Sequence, residues 1–226
     1  MLQRNLQYPF RQLRLGQHFL FDPAILDRIV DALDPSFDDQ VVEIGPGKGT
    51  LTGRLAARVG SVVAIERDKW LAEKLQATAP ENCRIVLGDA LEIDWHAHLP
   101  HPAEETSYKV VGNIPYSITT PLIDKALAEP LPSVITFLVQ KEVGERLEAA
   151  PGSKTYGALS VGVQSVVSVE RLLAVRPGSF RPPPKVDSVV VRLKPLADPL
   201  TVSGERGPFR RFVTGLFGQR RKQLAR

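Results

Sequence analysis

Val41-Val42-Glu43-Ile44-Gly45-Pro46-Gly47-Lys48-Gly49-Thr50 is a short apolar run stopped by a glycine-rich turn, after which Leu51, Leu55 and Val59 recur at helical spacing. A run of this length bounded by turn residues reads as a buried strand, and the spacing behind it predicts an amphipathic helix over 51–59. Two familiar phosphate-binding turns are excluded. A phosphate loop needs Gly-Lys followed directly by Ser or Thr, and Gly49 intervenes. A dinucleotide fingerprint needs two residues between its second and third glycines, and Gly47 to Gly49 leaves one.

The alternation repeats outward from this turn. Ser61-Val62-Val63-Ala64-Ile65 ends at Glu66, and Arg84-Ile85-Val86-Leu87 ends at Gly88-Asp89, with a helical stretch over 68–77 between them. Lys109-Val110-Val111-Gly112 and residues 133–139 are further apolar runs. Short apolar strands separated by amphipathic helices predict an α/β fold with a mostly parallel sheet covered on both faces. Glu43, Glu66 and Asp89 recur every 23 residues at strand ends, and are expected to converge on the crevice where an open α/β sheet binds ligand. Residues 170–175 and 187–193 alternate instead, around a proline-rich loop, and predict an antiparallel edge hairpin. Residues 195–208 read as a linker, and 209–217 have helical spacing. The expected organisation is a main domain over 1–198, then a linker and the first helix of a small helical domain over 199–226.

The strand ends carry the chemistry. Against the bare turn at Gly45–Gly47 an adenosyl ligand can lie close, with Glu66 accepting both ribose hydroxyl protons; the alternative is a plain strand-to-helix turn with a surface Glu66. Asp89 suits the exocyclic amine of the ligand's adenine and also a helix N-cap, and the two roles are compatible. After the fourth strand comes Asn113-Ile114-Pro115-Tyr116. Pro115 fixes its own φ and biases Ile114 to extended backbone. The Asn113 side-chain carbonyl and the Ile114 main-chain carbonyl can then accept both protons of an exocyclic NH2, while Tyr116 offers a base a flat face. The lone pair of such an amine is delocalised into its ring. Two acceptors on its N–H bonds favour the pyramidal form that frees the pair, a stabilisation by preorganised dipoles that needs no strong base.

Composition bounds the rest. Of 226 residues, 43% are hydrophobic and 24% charged, enough for a real core. One cysteine excludes a disulfide framework and paired-thiolate zinc, and Cys83 reads as a small packing residue. His96, His98 and His101 read as a polar loop rather than a metal site. No run reaches the roughly eighteen apolar residues of a membrane span, and no signal-peptide h-region opens the chain, so a soluble, cytoplasmic protein is expected. The net charge of +4 divides unevenly: +3 over residues 1–20, +6 over 205–226, and −5 between them. An acidic body with basic ends predicts a polyanionic partner held at the edges.

Together these motifs resemble the rRNA adenine N6,N6-dimethyltransferases over residues 11–226. The resemblance rests on Gln17-His18-Phe19-Leu20, Glu43-Ile44-Gly45-Pro46-Gly47, Glu66, Gly88-Asp89-Ala90 and Asn113-Ile114-Pro115-Tyr116. It continues through Gln140-Lys141-Glu142-Val143, Tyr156-Gly157-Ala158-Leu159-Ser160 and Phe180-Arg181-Pro182-Pro183-Pro184-Lys185-Val186-Asp187-Ser188. The last of these, with Phe217-Gly218-Gln219-Arg220-Arg221-Lys222, is similar to the KsgA type, which acts on small-subunit rRNA.

The resemblance implies a Rossmann-like, S-adenosylmethionine-dependent methyltransferase fold. The methyl donor, S-adenosylmethionine, would be held by Gln17, His18, Leu20, Gly45, Gly47, Glu66, Asp89, Ala90 and Asn113, without a metal. Asn113, Ile114 and Tyr116 would hold a flipped adenine. Phe180 would either stack on the other face of that base or simply anchor its loop. The implied reaction is dimethylation of N6 on two adjacent adenosines in the 3′-terminal hairpin of 16S rRNA during ribosome biogenesis. The enzyme would act as a cytoplasmic monomer on the ribosomal small subunit. Position 18 is usually Asn in the family, and most of the family's helical C-terminal, rRNA-binding domain lies beyond residue 226. The rivals are an Erm-type enzyme of large-subunit rRNA, a non-catalytic small-subunit assembly factor and, weakest, a DNA adenine methyltransferase.

Overall fold

The structure, a computed structural model, describes residues 17–103, 106–201 and 204–219. Arg4, Arg11, Arg14 and Arg220-Arg221-Lys222, which carry much of the terminal charge, lie outside the described residues, as does Gly16. In chain order the elements are β1 (Phe19–Leu20), α1 (Pro23–Ala32), β2 (Gln40–Ile44), α2 (Thr52–Ala56), β3 (Ser61–Glu66), α3 (Lys69–Gln76), β4 (Cys83–Leu87) and β5 (Tyr108–Asn113). There follow α4 (Thr119–Ala126), β6 (Val134–Gln140), α5 (Lys141–Glu148), α6 (Ala158–Gln164), β7 (Val167–Val175), β8 (Phe180–Arg181), β9 (Ser188–Pro195) and α7 (Arg206–Gly218).

A seven-stranded sheet has the order β4-β3-β2-β5-β6-β9-β7. The first five strands are parallel, and β9 is antiparallel to both β6 and β7. The expected hairpin of β7 and β9 therefore exists, but its second arm lies inside the sheet. The side chains explain the order. Val189, Val190, Val191 and Leu193 of β9 are all buried, whereas β7 exposes Glu170 and Arg171, as an edge strand can.

Alternation along the strands splits the core in two. Val42, Ile44, Val63, Ile65, Val110, Phe137 and Val191 pack with Leu122 and Ile123 of α4, Leu147 of α5 and Val163 of α6. Val41, Val62, Ala64, Val111, Leu138 and Val190 pack with Leu26, Ile29 and Val30 of α1 and Leu55 of α2. Helix α1 starts where Asp22 accepts the Ala24 and Ile25 backbone N–H groups and Pro23 fixes the first turn. Helix α2 is shorter than its apolar spacing predicts, because residues 57–60 turn back toward Asp39, whose carbonyl takes the Gly60 N–H at 3.0 Å.

Helix α7 docks onto the body at its first half. Arg206 donates to the Leu127 carbonyl at 2.8 Å and pairs with Glu129 at 2.6 Å, and Arg210 pairs with Asp124. A Cβ on Gly162 would stand 3.1 Å from Arg210 Cγ, so α6 and α7 meet closely there. Among the described residues, no helix is long and apolar enough to cross a membrane.

Candidate active site

The carboxyl ends of β2, β3 and β5 and the turn after β4 surround one cavity of about 420 Å³, a size suited to a small-molecule ligand. Its walls are Ile44, Gly45 and Gly47; Ile65, Glu66 and Arg67; Gly88, Asp89 and Ala90; and the run 113–118, with Gln17, His18 and Phe19 along one side. Ten of the expected site residues therefore come together: Gln17, His18, Gly45, Gly47, Glu66, Asp89, Ala90, Asn113, Ile114 and Tyr116.

The glycine turn is shaped by backbone that side chains rarely adopt, with φ of +66° at Gly45, +58° at Gly47 and +78° at Gly49. A Cβ on Gly47 would stand 3.0 Å from the Phe19 ring, so this residue must also be small. Its N–H donates to Glu66 Oε2 at 3.0 Å, and the Asp68 N–H donates to Oε1 at 2.8 Å. Glu66 is thus pinned by two backbone donors, with a second lone pair left on each oxygen. Burial raises its pKa, and the same N–H groups oppose that rise.

Asp89 caps the turn behind it, since Oδ1 accepts the Leu91 N–H at 2.9 Å. Its Oδ2 lies 3.4 Å from Arg67 Nη1, so the carboxylate serves the cap and still faces the cavity. Arg67 and Phe19 are lining residues to which sequence reasoning gave no role. Phe19 stood inside a quoted motif, and Arg67 directly follows Glu66, but neither type signals a ligand by itself.

Asn113 closes β5. Its Nδ2 donates to the His18 carbonyl at 2.7 Å, which fixes the amide and leaves Oδ1 without a donor among the described residues. The Ile114 N–H is taken by the Leu138 carbonyl at 3.1 Å, anchoring the run to β6. The Ile118 N–H and Thr119 hydroxyl both donate to the Pro115 carbonyl, at 3.1 and 3.3 Å. The Tyr116 hydroxyl shares a 3.0 Å hydrogen bond with Ser188 Oγ, and burial raises its pKa, so the ring is a neutral phenol tethered at its far end. The His18 ring lies 5.8 Å from the Tyr116 ring, centroid to centroid, at an angle of 33°.

Three of the expected residues lie away from the cavity walls. Leu20 and Phe180 do not line the cavity. They are direct partners in the antiparallel β1–β8 ladder, 5% and 2% exposed, and pack into the core with α1. In this arrangement the Phe180 ring is packed against β1 rather than presented to the cavity, and the Leu20 carbonyl accepts from the Thr50 hydroxyl at 3.3 Å. Glu43 does not reach the crevice either. Ile44 pairs with Ile65, so Glu43 lies on the level of Ala64, two residues deeper than Glu66. It is 1% exposed, its Oε2 has no hydrogen-bond partner among the described residues, and burial, reinforced by the nearby charge of Glu66, pushes its pKa up to about 8.

A base-bearing ligand needs acceptors for ribose hydroxyls and an adenine amine, apolar walls, and a backbone it can approach closely. Glu66, Asp89, Ile44 with Ile65, and the Gly45–Gly47 turn meet those needs. Among the described residues no cluster of three or more His, Cys, Asp or Glu could hold a metal, and His96 instead bonds the Tyr108 hydroxyl at 2.9 Å.

A parallel sheet with this crevice and an antiparallel extension is the Rossmann-like methyltransferase fold. A dimethyladenosine transferase from Plasmodium falciparum superposes with a TM-score of 0.77 at 30% identity, covering 92% of this chain and 73% of that one. The 23S rRNA methyltransferase ErmE gives 0.70 at 31% identity, covering 86% and 77%. The ribosomal RNA small subunit methyltransferase A of Geobacter metallireducens is 46% identical over 213 residues, 93% of this chain and 77% of that protein. Its counterpart from Xanthomonas axonopodis pv. citri is 46% identical over 214 residues, with 93% and 80% covered. Residues 11–226 match the ribosomal RNA adenine dimethylase family, and the chain belongs to it: it is an rRNA adenine dimethyltransferase.

Proposed function

We propose that this chain uses S-adenosylmethionine to dimethylate N6 of two adjacent adenosines in the 3′-terminal hairpin of small-subunit (16S) rRNA, as a step of ribosome biogenesis. The observation that carries this reading is the placement of Asn113-Ile114-Pro115-Tyr116 in the same cavity as Glu66 and Asp89. One end of the cavity suits the donor and the other an amine. Gln17, the main chain at His18, Gly45, Gly47, Glu66, Asp89 and Ala90 bound the donor side.

When bound, S-adenosylmethionine supplies an electrophilic methyl group on a cationic sulfur. Asn113 Oδ1 and the Ile114 carbonyl accept the two N6–H protons, which turns the nitrogen lone pair out of the ring toward that methyl. The Asn113 amide can do this only because His18 holds its other end. Tyr116 supports the base from one face. The methylated nitrogen is acidic enough to lose its proton to water, so no general base is required, and alignment carries most of the acceleration. The small-subunit substrate is supported by 46% identity to proteins named for the small subunit, against 31% to ErmE.

The test is transfer of labelled methyl to separated ribosomal subunits that lack the dimethyl marks. Label recovered as N6,N6-dimethyladenosine from the small subunit is the expected result. Label on the large subunit would move the reading to the Erm type, and donor binding without transfer would favour an assembly factor. Asn113→Ala should lower transfer by about 10²–10³-fold, as loss of a preorganised acceptor does. Full activity in that variant would remove Asn113 from the mechanism.

A further inference from the structure

We infer that Lys125 is a positioning residue of the donor site: from α4 it clamps the loop that carries Asp89 and Ala90, and so sets the selectivity of the cavity for an adenosyl donor. This rests on the reading above that Asp89 accepts the amine of the donor's adenine. Residues 88–95 follow the edge strand β4 and enter neither helix nor strand. A loop of this kind takes its shape from the donors that its carbonyls find. The bond from the Leu91 N–H to Asp89 Oδ1 lies within the loop and moves with it. Two side chains hold the carbonyls. Trp95, 2% exposed, donates its indole N–H to the Ala90 carbonyl at 2.8 Å. Lys125 Nζ donates to the Leu91 carbonyl at 2.9 Å and to the Ile93 carbonyl at 2.5 Å, and lies 5.4 Å from the centroid of the Trp95 ring.

The residue type suits the task. An ammonium has three donors and no acceptor, so one nitrogen can hold two carbonyls that face the same point. Burial lowers the Lys125 pKa, and the charges of Asp94, Asp89 and Glu92 oppose that fall. Helix α4 gives the clamp a fixed base, because Leu122, Ile123 and Ala126 beside Lys125 are buried in the core. The same helix follows directly from the target motif, and the Thr119 hydroxyl at its start donates to the Pro115 carbonyl. Six residues separate Thr119 from Lys125, about 9 Å along the axis. One rigid element thus carries the Asn113–Tyr116 motif at its beginning and holds the donor loop at its end. Lys125 is not among the walls of the cavity, so it acts through Asp89 rather than on a ligand.

The experiment measures, by calorimetry, binding of S-adenosylhomocysteine and S-inosylhomocysteine to wild type, Lys125→Met, Lys125→Gln and Lys125→Arg. The inosyl compound has a ring carbonyl in place of the amine, so it cannot donate to Asp89. Wild type should clearly prefer the adenosyl compound. Lys125→Met keeps the aliphatic stem without the donors. It should lose about tenfold in adenosyl affinity, the scale of one hydrogen bond to a charged group, and less than about threefold in inosyl affinity. Lys125→Gln, one atom shorter, should show the same selective loss, which keeps the comparison available where Lys125→Met does not fold. Lys125→Arg, whose fork can reach two carbonyls, should return adenosyl affinity to within about threefold of wild type. In methyl transfer to the small subunit, Lys125→Met should raise KM for the donor about tenfold and change kcat less than about threefold. Equal losses for both compounds would make Lys125 a support of the fold alone and overturn the inference. Unchanged selectivity in Lys125→Met and Lys125→Gln would also overturn it, leaving the proposed function intact. A wild type that binds both compounds equally would remove Asp89 from adenine recognition, and overturn both the inference and the donor side of the proposed function.

Discussion

Glu43 and Glu66 lie on neighbouring strands, two levels apart, and the difference in depth gives them opposite characters. Glu66 has a backbone N–H on each oxygen at the mouth of the cavity, whereas the Oε2 of the deeper Glu43 has no partner among the described residues. With a pKa pushed up to about 8 from an ordinary 4.5, Glu43 is mostly protonated at neutral pH in the folded chain. Its contribution to stability is complete below about pH 4.5, where the unfolded chain is also protonated. The contribution declines as pH rises and is lost once pH passes through about 8, a change on the order of a few kcal/mol. Glu43→Gln keeps the shape without the titration. Urea unfolding of the two proteins between about pH 5 and about pH 9 should therefore show a falling curve for wild type and a flatter one for the variant. Parallel curves would mean that Glu43 does not titrate in this range. The 23-residue spacing placed Glu43 with Glu66 and Asp89, but spacing along the chain does not report strand register. Asn113 and Tyr116 were legible because Pro115 dictates local backbone. The burial of Phe180 was not, since it depends on pairing with Leu20, 160 residues away.

At the level of elements, the turn from β2 to α2 does two jobs that separate by mutation. Gly47 and Gly49 both have positive φ, so alanine at either should cost about 1–2 kcal/mol of stability. At Gly49 the added Cβ meets only the tip of Leu75, a flexible side chain in α3. At Gly47 it meets the Phe19 ring, a wall of the cavity, and the residue's N–H holds Glu66. Thermal melts should therefore show similar losses for Gly47→Ala and Gly49→Ala, while only Gly47→Ala weakens S-adenosylmethionine binding, by about tenfold or more. Equal donor affinities in the two variants would detach the turn from the donor site. The parallel strands were readable because each is a short apolar run ending in Gly or an acid. The place of β9 was harder, because alternation in β7 and β9 announces a hairpin without saying which arm is the edge. That order follows from β9 burying a continuous valine run and also pairing with β6.

For the whole molecule, charge and connectivity are distributed differently from chemistry. The body between residues 21 and 204 carries −5, so it repels a polyanion, and the basic residues of the two ends must offset that repulsion. Affinity for a 16S 3′-hairpin RNA should fall steeply with salt. Replacing Arg220, Arg221 and Lys222 together with Gln should reduce the slope of log affinity against log salt by about two to three, leaving donor affinity unchanged. An unaltered slope would exclude those residues from the RNA interface. The long-range organisation has a further consequence through the β1–β8 ladder. The cavity draws one wall from residues 17–19, yet these are held in place by Phe180, Arg181 and Pro182. Strand β9, which fills the gap between β6 and β7, comes later still. As the chain is synthesised from its N-terminus, the glycine turn and Asn113 emerge early, but the cavity cannot close until the chain has grown past residue 182. The enzyme therefore gains its substrate site only after the β8 segment has been made, long after the residues of the site's other walls.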